Sequence, residues 1–191
     1  SDEIHMDMTW SGHAHIPWCD VAQGPWALFT SGSKSFNIPA FTGAYGLIAD
    51  ESARDAYLNA LKGRDGLSSP SVPALVAHIA AYQQGESWLD ALRDYLQDNM
   101  RYIEETLNAA FPALNWQRPQ ATYLAWIDLR PLNIDDRQLQ DVLIKQQKVA
   151  IMPGYTYGAE GNGFIRLNAG CPRVKLEDGV KRLIAAIRTL Q

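Results

Sequence analysis

Two cysteines among 191 residues, Cys19 and Cys171, are too few and too far apart to form a disulfide framework. That excludes a small cross-linked secreted scaffold, and the pair reads as reduced thiols of a cytoplasmic protein. No apolar run approaches the roughly 18 residues of a membrane-spanning helix. Positive charge is not in excess either: 17 Lys and Arg stand against 21 Asp and Glu, a net charge of −4. This argues against a nucleic-acid-binding surface spread over the whole molecule. Internal repeats and low-complexity segments are missing as well. What remains is an ordinary globular composition, 47% hydrophobic and 20% charged. It is enough for the core of one domain or of parts of two.

Metal chemistry has one weak invitation, the His13, His15 and Cys19 cluster. Its spacing fits no usual zinc site and lacks a fourth ligand, so it reads as a polar surface loop and no metal is expected.

The stretch Thr30-Ser31-Gly32-Ser33-Lys34-Ser35 carries the chemistry. Trp26 to Phe29 form a short apolar run that reads as a buried strand leading into it. Hydroxyls and backbone N–H groups freed at a strand end suit a phosphate. A lysine among small residues can lie against a cofactor, and desolvation would free its neutral amine as a nucleophile. Ser31 to Ser35 would also make a solvated surface loop.

The chain around this loop alternates strands and helices. Residues 1–8 read as the tail of a strand, with Asp2 and His5 at the end where open α/β sheets place their ligands. Residues 42–49 read as a second buried strand. A helix over residues 51–62 would turn Ala53, Tyr57 and Leu61 to one side. The next would start in Ser68–Pro73 and bury Val72, Leu75, Val76 and Ile79. A long helix from about residue 87 to 110 repeats Leu89, Leu92, Leu96, Met100, Ile103 and Leu107 at helical spacing. Beyond Phe111-Pro112 come a strand at 122–129, a helix at 135–147, a short extended piece at 149–152 and a loop at 153–158. A strand at 164–168 and a helix at 175–190 close the chain. Such alternation implies a small α+β layer structure.

Three stretches together narrow the reading: Ser-Asp-Glu-Ile-His-Met-Asp at 1–7, Ser-Gly-Ser-Lys-Ser-Phe-Asn-Ile-Pro at 31–39 and Met-Pro-Gly-Tyr-Thr-Tyr-Gly at 152–158. With Arg166 in Phe-Ile-Arg-Leu-Asn, they resemble fold-type I pyridoxal 5'-phosphate (PLP) enzymes, the aspartate aminotransferase superfamily. The wording is similar to the MalY/PatB branch of cystathionine β-lyases, one of which doubles as a maltose-regulon modulator. The resemblance implies an α/β chain. Residues 1–110 would be the second part of a PLP-binding large domain, with its long linking helix, and 111–191 a small C-terminal α+β domain.

It further implies Lys34 as the catalytic lysine that holds the cofactor. Asp2 would sit against the pyridine nitrogen, His5 beside the cofactor, Ser31 and Ser33 at the phosphate, and Arg166 on the substrate carboxylate. Thr42 stands where many members carry a phosphate-binding arginine, a feature of the C–S lyase branch. The implied activity is β-elimination from cystathionine and related cysteine thioethers to thiol, pyruvate and ammonia, in a homodimer. Aminotransfer is the alternative, since it passes through the same carbanion. Regulation through a protein partner is a second class of function. The resemblance covers only the C-terminal half of such an enzyme, so these residues alone are expected to lack lyase activity.

Overall fold

The computed structural model describes residues 1–67 and 69–191. Ser68, expected at the head of a helix start, lies outside the described residues. The chain forms two compact units, Ser1–Arg93 and Asp94–Gln191.

In the first unit, a one-turn helix α1 (Trp18–Val21) precedes strand β1 (Ala27–Thr30). Strand β2 (Tyr45–Ile48) pairs antiparallel with β1, Ala27 facing Ile48 and Thr30 facing Tyr45. On β1's other edge Asp2 makes a parallel bridge to Phe29. The Phe29 N–H donates to Ser1 O at 2.9 Å, and the Glu3 N–H to Phe29 O at 2.9 Å. Helix α2 (Glu51–Asn59) starts on Asp50, whose carboxylate accepts the Ala53 N–H at 2.8 Å, and runs into a π-helical turn, Ala60–Arg64. Helix α3 (Val72–Gln84) is capped by Ser71, with Pro73 in its first turn, where a missing N–H has no helical partner.

The burial expected of β2 and α3 is corrected here. Strand β2 is not buried, with Leu47 51% exposed, and the apolar stripe of α3 is open, Val72 at 72% and Val76 at 63%. Only Ala74 of α3 is buried. The stripe of α2 is open too, Tyr57 being 41% exposed. Periodicity marks a face as apolar but does not supply what covers it. Among the described residues of this unit the sheet β1–β2 has two strands, and its burial falls on β1, with Leu28 4% and Thr30 3% exposed.

Helix α4 (Glu86–Ala110) carries the division between the units inside it, whereas the sequence places a boundary near residue 110. The reason is packing: Leu96, Met100, Ile103 and Leu107, all at most 3% exposed, lie on the part of α4 that belongs to the second unit. Each such side chain contributes roughly 1.5–3 kcal/mol of burial. The second unit holds an antiparallel sheet in the order β3 (Leu124–Asp128), β5 (Phe164–Asn168), β4 (Met152–Pro153). Helix α5 (Asp136–Val142), capped by Asp135, continues as a π-helical turn, Leu143–Gln147. The terminal helix α6 (Arg173–Leu190) packs on α5 and that turn, burying Leu176, Val180, Leu183 and Ile187. Alternation orients the sheet: Ala125, Ile127, Ile165 and Leu167 are buried, and Trp126 and Arg166, cross-strand partners, point to the open face.

Candidate functional site

The Lys34 loop is a tight knot built on β1. Its turns close through Phe36 N–H to Gly32 O at 2.8 Å and Ile38 N–H to Ser33 O at 3.1 Å. Ser31 is buried, and its hydroxyl donates to Gly43 O at 2.6 Å while accepting the Ser33 N–H at 3.1 Å. His78 of α3 lies against the same oxygen, Nε2 at 3.2 Å, and its Nδ1–H donates to Ala74 O at 2.8 Å. Glycine is needed for this approach: a Cβ on Gly43 would lie 2.8 Å from the Ala74 Cβ and 3.1 Å from the His78 ring. Ser35, fully buried, donates to Asp7 Oδ2 at 2.8 Å, and Tyr82 donates to the same oxygen at 3.3 Å. Burial, helped by the Tyr45 and Asp7 contacts, pushes the Tyr82 phenol well above its ordinary range.

Out of this knot Lys34 projects into solvent. The expected desolvation is therefore not met by the described residues: the turn fixes the lysine's backbone, and nothing in this unit closes over its side chain. Asp2 is exposed as well, its Oδ1 accepting the Ile4 N–H at 3.1 Å. Its bridge to Phe29 sets the carboxylate beside the strand that runs into the Lys34 loop. His5 lies half-buried in the turn that follows, its carbonyl accepting the Met8 N–H at 2.9 Å. Asp2, His5, Ser31, Ser33 and Lys34 thus all belong to one unit and to two adjoining strand ends.

His15 has a structural partner. Its Nε2 sits 2.8 Å from Glu3 Oε2, and Glu3 Oε1 accepts the Trp18 N–H at 2.7 Å. Burial raises the Glu3 carboxyl, but the hydrogen bonds from His15 and Trp18 outweigh it and hold the group below its ordinary range. Among the described residues no three His, Cys, Asp or Glu side chains gather as metal ligands.

Arg166 stands on the open face of the second unit's sheet, between Trp126 and Met152 in register. Its guanidinium lies over the Tyr157 ring at 4.6 Å. No carboxylate among the described residues pairs with it. A half-buried guanidinium held by a ring and lacking an acid keeps its forked donors for an incoming carboxylate. Beyond Arg166 the chain is pinned by Asn99, fully buried on α4, whose amide donates to Ala169 O at 2.9 Å and Cys171 O at 3.0 Å.

His78, Asp7 and Asn99 were not marked as site or support residues by the sequence. His78 and Asn99 sit in helices whose patterns look like ordinary packing, and their contacts reach 47 and 70 residues along the chain.

Residues 1–183 match the family model described as aminotransferase class I and II. The chain is 74% identical over all its residues to Protein MalY of Escherichia coli (strain K12), covering 49% of that protein. It is 36% identical to the cystathionine β-lyase PatB of Bacillus subtilis (strain 168), with 98% of the chain and 49% of the relative aligned. Among solved structures, cystalysin from Treponema denticola, which contains a pyridoxal 5'-phosphate cofactor, superposes with a TM-score of 0.90 at 26% identity, over 100% of this chain and 49% of that one. The PLP-bound C–S lyase from Staphylococcus hominis does so with a TM-score of 0.87 at 32% identity, over 98% and 49%. The chain spans about half the length of these relatives, 49% in each case.

Proposed function

The chain belongs to the aminotransferase class I and II family, and from that premise we propose that the full-length protein is a PLP-dependent C–S β-lyase. Its substrates are cysteine thioethers of the cystathionine type, and it works as a homodimer. Residues 1–110 then form the later part of the large domain and 111–191 the small domain. The observation that carries the reading is the pairing of Asp2 with Phe29. It sets a carboxylate beside the strand that ends in the Lys34 loop. The amine, carboxylate and hydroxyl donors present suit the aldehyde, ring nitrogen and phosphate of PLP.

In this reading the residues divide the tasks. Lys34 would hold the cofactor's aldehyde through Nζ, and the same nitrogen would serve as the base for the substrate α-proton. Asp2 keeps the ring nitrogen protonated, with His5 beside it. Ser33 offers a hydroxyl to the phosphate. Ser31 does so by turning its O–H away from Gly43. Arg166 grips the substrate α-carboxylate through two parallel hydrogen bonds. Bound PLP supplies the electron sink that lets the β-thiolate leave.

The test is pyruvate and thiol release from cystathionine by the full-length protein with PLP. Release that disappears in Lys34→Ala supports the proposal. Amino transfer to a keto acid without pyruvate release would replace it with the aminotransferase reading.

A further inference from the structure

Six side chains form an unbroken ladder on the open face of the second unit's sheet. Asp128 grips Arg130 through two hydrogen bonds, at 2.8 and 2.6 Å. Arg130 lies over the Phe164 ring at 4.6 Å, and Phe164 stacks on Trp126 with centroids 5.3 Å apart. Trp126 meets Tyr157 edge-on at 5.6 Å, and Tyr157 lies beneath the Arg166 guanidinium at 4.6 Å. The three rings of the ladder therefore lie between two arginines of different kinds. Arg130 is neutralised by Asp128, whereas Arg166, among the described residues, has a ring under it and no carboxylate partner.

The ladder is anchored in backbone. The Trp126 carbonyl accepts the indole N–H of Trp116 at 2.7 Å. The turn Gly154–Tyr157 that carries Tyr157 is closed by Thr156 Oγ1 on Pro153 O at 2.7 Å. A ring face attracts a cation through its quadrupole without consuming the guanidinium's N–H donors. A carboxylate in the same place would both hold and neutralise it. An arginine that must stay fixed yet remain able to bind an acid is served better by the ring.

We propose that Tyr157 is the positioning residue of Arg166: its ring, braced by Trp126, holds the guanidinium aimed for a substrate carboxylate. This rests on the reading of Arg166 as the carboxylate-binding residue. The working part of Tyr157 is its ring, so its hydroxyl is dispensable.

The experiment compares Tyr157→Phe, Tyr157→Leu and Arg166→Ala in the full-length PLP-loaded protein. It reads KM and kcat for cystathionine, and the spectroscopic dissociation constants of L-alanine and of ethylamine, which lacks the carboxylate. Tyr157→Leu should raise KM and the L-alanine constant by about 2- to 30-fold, with kcat and ethylamine binding little changed. Tyr157→Phe should stay within about twofold of the parent, because the ring persists. Leu behaving as the parent, Phe failing as badly as Leu, or ethylamine weakening in parallel with L-alanine would each overturn the positioning role. If Tyr157→Leu does not fold, Tyr157→Met is read by the same criteria. Failure of the underlying reading looks different, since Arg166→Ala would then leave L-alanine binding unchanged.

Discussion

Gly154→Ala offers a sharp test of how the Tyr157 turn is held. Gly154 is buried, and a methyl group there would lie 2.1 Å from Gly161 O, 2.7 Å from Phe164 O and 2.8 Å from the Phe164 Cβ. Ordinary contacts of a Cβ begin near 3.4 Å, so the turn or the facing Ala159–Gly161 segment must move by more than an ångström. The two nearest obstacles are backbone oxygens and cannot rotate aside. Overpacking of this sort costs about 1–3 kcal/mol, and this case belongs at the upper end because no flexible side chain can absorb the strain. The movement would also shift Tyr157, three residues on, and with it the Arg166 guanidinium. Gly179 is the control: nothing lies within 4 Å of its Cβ position, inside α6. Gly179→Ala should therefore stabilise by roughly 0.5–1 kcal/mol through helix propensity. The assay is urea unfolding of the full-length variants, followed by KM for cystathionine. Gly154→Ala should lower the midpoint and raise KM, and Gly179→Ala should raise the midpoint and leave KM alone. An unchanged midpoint and KM in Gly154→Ala would refute the packing argument.

Two further outcomes follow from the first unit. Glu3 has a folded-state pKa below its ordinary value, so its contribution to stability is present above the usual carboxylate range and lost as pH falls through the lowered value. Glu3→Gln should be less stable at neutral pH and show a shallower acid limb in urea midpoints measured against pH; parallel limbs would contradict this. His78→Ala removes the ring packed against the Ser31 oxygen and should weaken PLP binding to the full-length apoprotein by about two- to tenfold in a fluorescence titration, the worth of the one hydrogen bond that a well-placed Ser31 would give the phosphate. Parent-like affinity would separate His78 from the phosphate end.

The second unit was the more legible of the two. Ala125, Ile127, Ile165 and Leu167 alternate with Trp126 and Arg166, and a period of two reports burial directly when one sheet face is packed. The long helix and the terminal helix were legible for the same reason, since their stripes are covered by this chain's own residues. The stripes of α2 and α3 had equally clear periodicity and came out exposed, because a pattern names a face but not its cover. The Lys34 loop was readable from small residues clustered around one lysine. Its supports were not: Ser31 meets His78 and Ser35 meets Asp7 only after the chain has folded back over 47 and 28 residues. Tyr157 lay in a stretch that carried the family resemblance, yet its place under Arg166 depends on a turn geometry that composition does not encode.

The central claim is that Lys34 is the residue on which the cofactor is carried. Borohydride reduction of the full-length PLP-loaded protein, followed by peptide mapping, tests it most directly. The account expects the pyridoxyl group on Lys34, within the peptide that contains Ser31 to Ser35. A pyridoxyl group on any other lysine, or none on a protein that retains the cofactor's absorbance, would contradict it.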